Sequence, residues 1–156
     1  MRIGHGYDAH RLGGDRPFVI GGVKIPYDRG IFTHSDGDTL AHAIIDAFFG
    51  AAGMRDIGAQ YPDSAAAYDN ADSMGLLRDA VLKINKDGFT LEYLDCTVIA
   101  QAPKMGPHIT AIRENIARAC GVEISRVNVK ATTEEKMGFT GNGEGIAAHA
   151  VCLLNE

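Results

Sequence analysis

Asp8-Ala9-His10 is the first place in this chain where residue types and spacing allow chemistry. The surrounding segment, RIGHGYDAHRL, alternates like a strand, so Asp8 and His10 point to one side, preceded there only by Gly4 and Gly6. A carboxylate oxygen and an imidazole nitrogen are two of the three protein ligands of an open tetrahedral zinc site, whose fourth position takes water or a substrate oxygen. His42 is the candidate third. It lies within the periodic stretch THSDGDTLAHAIIDAFFG, residues 33–50, with Asp38 and Asp46 one turn to either side. Asp46, at i+4, is expected to hold the second ring nitrogen of His42, the common outer partner of a metal-bound imidazole. The same residues also read without metal, as a surface pair on an edge strand and a helix histidine paired with Asp38 or Asp46.

Three further stretches suit phosphate. His34 precedes a helix start, where anions are favoured, although it could equally cap or bond locally. QAPKMGPH, residues 101–108, is a strand-to-helix turn whose amides and Lys104 make a candidate cradle. KATTEEKMGFTGNGEG, residues 130–145, sets the hydroxyls of Thr132 and Thr133 beside Glu134 and Glu135, a pattern that suits phosphate oxygens and Mg²⁺ or simply forms a polar turn. His5, His108 and His149 are expected to be structural, with His149 buried in an apolar strand.

These groups need elements to position them. A strand is expected from Arg2 to Leu12, a hairpin in FVIGGVKI around Gly21-Gly22, and a helix from Asp38 to Gly53 capped by Ser35, Asp36 or Asp38. Residues 55–72 read as a long loop broken by Gly58 and Pro62. A helix over Ser73–Lys86 carries the stripe Met74, Leu77, Val81 and Ile84. A strand over Tyr93–Gln101 and a helix opening at Pro107 follow, then strands over Arg126–Thr132 and Gly145–Leu154. The last of these, GIAAHAVCLL, is apolar on both sides, and a sheet with few helices covers only one face itself. The other face is expected to meet another subunit.

The chain has 156 residues, 46% hydrophobic and 22% charged, which fits one domain over 1–156 and excludes disordered or fibrous classes. A net charge of −5 argues against nucleic acid as a partner. Cys96, Cys120 and Cys152 are odd in number and set in apolar surroundings, as expected of free thiols in a cytoplasmic protein. No signal-peptide core and no stretch of membrane-spanning length is apparent.

Taken in order, RIGHGYDAHRL, HSDGDTLAHAIIDAFFGAAGMRDIG, YPD, IAQAPKM and NVKATTEEKMGFTGNGEGIAAHAV resemble the 2-C-methyl-D-erythritol 2,4-cyclodiphosphate synthase family, cyclases of the non-mevalonate isoprenoid pathway. The resemblance implies an α/β (α+β) subunit with a mixed four-stranded sheet and helices on one face. It also implies a homotrimer packed through the sheets, with active sites between subunits. By the same resemblance Asp8, His10 and His42 bind Zn²⁺, and Asp8 and His10, with His34, Ser35, Asp56, Ile57, Gly58, Tyr61 and Asp63, contact substrate phosphates and erythritol. Ala100 to Gly106, including Pro103, Lys104 and Met105, match the cytidine pocket. Ala131, Thr132, Thr133 and Glu135 match contacts to the diphosphate, with Glu135 serving a second divalent ion, Mg²⁺ or Mn²⁺. His34 and Thr133 fall where the family stabilises the transition state, and Phe139 and Asn142 face a cavity on the trimer axis. Asn142 replaces the Arg or other charged residue found there in many members, and Glu134 replaces a commoner Thr.

The reaction so implied starts from 4-diphosphocytidyl-2-C-methyl-D-erythritol 2-phosphate. Its 2-phosphate attacks the β-phosphorus, CMP leaves, and a cyclic diphosphate closes. The nucleophile is already anionic, which fits a sequence with no Ser-His or Cys-His elbow. A zinc phosphohydrolase and a trimeric nucleotide-sensing module are the alternatives that the residues alone leave open.

Overall fold

The alternating N-terminal segment forms a thirteen-residue strand. In the computed structural model, which describes residues 1–62 and 72–156, β1 (Arg2–Gly14) pairs antiparallel with β7 (Gly145–Asn155), from Arg2↔Leu154 to Arg11↔Gly145. On its other side β7 pairs antiparallel with β5 (Thr90–Ile99), and β5 pairs in parallel with β6 (Val127–Thr132). Parallel neighbours need a crossover, which helix α4 (Ile109–Cys120) supplies between them. The sheet has five strands rather than the four expected, ordered β4 (Gly30–Phe32), β1, β7, β5, β6. The added edge strand, β4, pairs with Arg11, Leu12 and Gly14, and three residues are too few to display alternation. β2 (Val19–Ile20) and β3 (Val23–Lys24) form the expected hairpin. Its Gly21 and Gly22 have φ of 55° and 73°, the positive pair that the favoured two-residue turn requires.

Helix α1 (Thr39–Ala52) lies directly on β1, and glycine makes this possible. A Cβ on Gly4 would fall 1.9 Å from the Ala47 carbonyl oxygen, and one on Gly6 1.9 Å from that of Ala43. Two strand residues rise about 6.7 Å and four helix residues about 6.0 Å, so the two series stay nearly in step. Continuing it by one step sets Asp8 opposite the first turn of α1. Ten of the 14 helix residues are buried, which leaves His42, Asp46 and Gly50, at four-residue spacing, on its wetter side, and Ala52 at its end. Asp38 caps the helix through Ala41 N–H at 3.1 Å. It also accepts from the hairpin amides of Gly21 at 2.9 Å and Gly22 at 2.7 Å.

The stretch expected to be a loop from residue 55 begins instead with a short helix, α2 (Ile57–Gln60), capped by Asp56 through Ala59 N–H at 2.8 Å. Helix α3 (Ser73–Lys86) buries Met74, Leu77, Val81 and Ile84, as its stripe requires. Pro107 sits in a 3-10 turn, Gly106–His108, so the α-helical part of α4 starts two residues later than expected. A single turn, α5 (Gly138–Gly141), precedes β7.

One face of the sheet, with Gly4, Gly6, Leu94, Cys96, Ala150 and Cys152, is buried under the helices. Burial pushes the thiols of Cys120 and Cys152 up to about 12 and about 11. The other face is open. Ile3 is 74% exposed, Tyr7 46%, Tyr93 44% and Val151 43%, more apolar surface than a free sheet face usually shows. His149 is half-buried on this open face rather than in the core, with its Nδ1 2.9 Å from His5 Nε2. Among the described residues no helix is long and apolar enough to cross a membrane.

Candidate functional site

Asp8, His10 and His42 converge where β1 passes the first turn of α1. Asp8 Oδ2 lies 3.0 Å from His10 Nδ1 and 3.1 Å from His42 Nδ1, and one potential ligand atom from each residue falls within 4.8 Å of the others. A tetrahedral ion about 2.0–2.1 Å from each donor holds its donors about 3.3 Å apart, so this trio needs little adjustment to bind one. The side chains are 25%, 15% and 14% exposed respectively, which leaves a mouth for a fourth ligand. Thr39 Oγ1, 3.2 Å from His10 Nδ1, supports the second imidazole.

The electrostatics favour positive charge at this point. Burial pushes the Asp8 carboxyl up, but hydrogen bonds and positive charge from His10 and His42 outweigh it and leave Asp8 below the usual carboxylate range. Burial alone would push His42 down. The hydrogen bond and charge of Asp8, with Asp38 and Asp36 behind it, carry His42 above the ordinary imidazole value. A group surrounded in this way binds a proton or a metal ion with equal logic.

Asp46 does not orient His42. It accepts the Ile57 amide at 2.7 Å and so ties α1 to the start of α2, which carries Asp56, Ile57 and Gly58. The second nitrogen of His42, Nε2, meets Ser73 Oγ at 2.8 Å. Ser73 is in turn bonded to Asp36. No sequence signal pointed to Ser73, which lies 31 residues from His42 and is brought to it only by the packing of α3 on α1.

A second cluster forms at the carboxyl ends of the parallel strands, the place where open α/β sheets bind ligands. Ala100 N–H donates to the Thr132 carbonyl at 3.1 Å, and Lys136 N–H to Gln101 Oε1 at 3.1 Å. These bonds bring Ala100–Gly106 beside Ala131–Glu135. Lys104, Gly106, Ala131, Thr132, Thr133 and Glu135 are exposed there, Pro103 is half-buried, and Ala100 and Met105 are buried. Glu134 and Glu135, the latter at φ 52°, are both exposed, but Glu134 accepts from the Thr140 hydroxyl. Glu135 is not part of the Asp8–His10–His42 group. The row Ala9↔Ala147↔Ile99↔Thr132 runs across the sheet, so Thr132 lies three strand spacings, about 14 Å, from β1.

The remaining candidates are scattered around these clusters. His34 is exposed, and the Ser35 hydroxyl accepts from Gly37 N–H at 3.0 Å. Tyr61 is buried and spends its hydroxyl on Asp79 at 2.7 Å, against α3. Phe139 is 40% exposed, and Asn142 Oδ1 accepts from Glu144 N–H at 2.9 Å. Asp63 lies outside the described residues.

Comparison with known proteins gives a consistent answer. Residues 1–155 match the YgbB family. A 2-C-methyl-D-erythritol 2,4-cyclodiphosphate synthase of Trichlorobacter lovleyi is 60% identical over 154 residues, covering 99% of this chain and 98% of that protein. The solved bifunctional IspDF of Campylobacter jejuni superposes with a TM-score of 0.94 at 44% identity, over 98% of this chain and 42% of that one. An IspF of Plasmodium falciparum, solved as a CDP complex, gives a TM-score of 0.86 at 36% identity, over 98% of this chain and 94% of its own. The trio on β1 and α1, the strand-end cluster and the fold around them therefore have one source: this chain belongs to the YgbB family, that of the 2-C-methyl-D-erythritol 2,4-cyclodiphosphate synthases.

Proposed function

We propose that this chain converts 4-diphosphocytidyl-2-C-methyl-D-erythritol 2-phosphate to 2-C-methyl-D-erythritol 2,4-cyclodiphosphate, with release of CMP, in the non-mevalonate isoprenoid pathway. The observation that carries this reading is the convergence of Asp8, His10 and His42 in a chain 60% identical to such a synthase along its whole length. Their donor set, one carboxylate oxygen and two imidazole nitrogens, fits Zn²⁺, and Glu135 supplies the exposed carboxylate that Mg²⁺ or Mn²⁺ selects. Such cations, when bound, neutralise and polarise phosphate oxygens.

The chain's own residues then position the reactants. His34 and Ser35, with Asp56, Ile57, Gly58, Tyr61 and Asp63, take the erythritol and its 2-phosphate. Ala100 to Gly106 receive the cytidine, while Lys104, Ala131, Thr132 and Thr133 take the diphosphate. His34 and Thr133 donate to oxygens that gain charge at the transition state. No protein nucleophile is required. Holding the 2-phosphate against the β-phosphorus provides an effective molarity on the order of 10⁵ M or more, which outcompetes water at about 55 M.

A homotrimer packed through the open sheet faces supports this arrangement. The exposed Ile3, Tyr7, Tyr93 and Val151 supply an apolar contact, and the separation of about 14 Å across one sheet favours a site completed by a neighbour's strand-end cluster. Phe139 and Asn142 would then lie near the axis. One domain over 1–156, a cytoplasmic setting and no nucleic-acid partner agree with the buried free thiols and the net charge of −5.

Turnover in ¹⁸O-water, followed by phosphorus NMR and mass spectrometry, tests the reading. The expected products are an unlabelled cyclic diphosphate and CMP, without inorganic phosphate. A linear, ¹⁸O-labelled phosphate as the main product would make the enzyme a hydrolase.

A further inference from the structure

The partner of His42 is itself held in one protonation pattern. Ser73 is fully buried at the first position of α3, and its hydroxyl touches both His42 Nε2, at 2.8 Å, and Asp36 Oδ1. Asp36 also accepts two amides, Ser73 N–H at 2.8 Å on Oδ2 and Asp38 N–H at 3.2 Å on Oδ1. A carboxylate placed among donors acts as an acceptor, so the single Ser73 hydroxyl proton points to Asp36. The lone pairs of Ser73 Oγ are then left for His42, whose Nε2 must carry a proton. A neutral imidazole protonated at Nε2 presents its lone pair at Nδ1, the nitrogen that lies 3.1 Å from Asp8 Oδ2.

We propose that Asp36 and Ser73 are positioning residues that hold His42 in its Nε2–H tautomer and so make Nδ1 the metal-binding atom. The proposal rests on the metal reading of Asp8, His10 and His42. The role is one that neither residue shows in the sequence. Asp36 lies in the turn ahead of α1 and Ser73 at the start of α3, so their contact also fixes His34 and Ser35, just before Asp36, relative to the ion. Of the carboxylates near His42, Asp36 reaches it through a shared hydroxyl, while Asp46 is occupied by Ile57.

The test uses zinc-loaded full-length protein, with zinc release to a chromophoric chelator and ¹⁵N NMR of labelled imidazoles as readouts. In the wild type, His42 should show a protonated Nε2 and a metal-shifted Nδ1. Ser73→Ala should weaken zinc binding by about 10- to 100-fold and mix the His42 tautomers. Ser73→Thr, which keeps the hydroxyl, should restore most of both. Asp36→Asn, nearly isosteric, should move both readouts in the same direction by less, and it carries the test if Ser73→Ala does not fold. Wild-type release rates in both Ser73→Ala and Asp36→Asn would overturn the proposal, as would zinc on Nε2 of His42 in the wild type. Wild-type protein with no zinc that His10→Ala can remove would sink the metal reading itself, and the positioning role with it.

Discussion

Asp8, His10 and His42 meet already bonded to one another and to buried neighbours, whereas Lys104, Thr132, Thr133 and Glu135 stand in solvent on the far side of the same sheet. The first cluster rests on packing. Glycines let α1 lie on β1, Asp38 caps it, and α3 closes the back of His42. The second rests on backbone pairing alone, with few side-chain partners among the described residues. One chain therefore brings together by itself a group that could bind a metal ion, whereas the exposed cluster, read as the proposed cradle for the nucleotide, would be finished by ligand, cation or neighbouring subunit. A preorganised group is costly to disturb, and an exposed one is costly mainly to what it binds.

Breaking the packed half should have the largest effect. His42→Ala removes a ligand from a rigid helix. Zinc per subunit should fall to background by metal analysis, and turnover by on the order of 10³-fold or more, about 4 kcal/mol of barrier. Gly6→Val attacks the same half from below, because even its Cβ meets the Ala43 carbonyl at 1.9 Å. We expect a loss of about 3 kcal/mol and a Tm lower by roughly 10 °C in thermal melts, with weaker zinc binding. Gly106→Ala is the contrast. A Cβ there meets nothing within 4 Å, so Tm should not move.

The exposed half should respond through its partners. Val151→Arg places a charge on the open face of β7. Light scattering should then report smaller species than the trimer of about three chains expected for the wild type, with zinc retained by the monomer and turnover lost. Glu135→Gln should be the mildest of the set. Zinc stays bound, while the Mg²⁺ or Mn²⁺ concentration for half-maximal rate rises severalfold. An unchanged divalent titration would remove Glu135 from the proposed second ion site.

The same contrast explains what could be read from the sequence. Gly4, Gly6, Asp8 and His10 share one face by a period-two rule, and the apolar run around His42 is helical by its period, so the ion site was legible from two local patterns. The strand β4 was not, because Gly30–Phe32 is too short to alternate and exists through its pairing with β1. The error over Asp46 has a physical cause. Helix spacing sets it near His42, but it cannot show that the Ile57 amide, an unpaired donor at the start of α2, lies closer and takes the carboxylate. Ser73 reaches His42 only through tertiary packing, which local periodicity does not encode. The hydroxyls and acids of residues 132–135 were visible as a composition, yet only the bond from Thr140 to Glu134 separates the structural acid from the available one.

Asp38 has a consequence beyond capping. A single buried carboxylate closes the amides of Gly21, Gly22 and Ala41 at once, and no neutral side chain of its size can accept from all three without presenting a donor of its own. The hairpin and the helix start are therefore expected to open together. In native-state hydrogen exchange these three amides should share one opening free energy despite their separation in sequence, and Asp38→Asn should release all of them as a unit. The first turn of α1, where His42 is held, thus belongs to a cooperative block that reaches across to a hairpin containing no ligand.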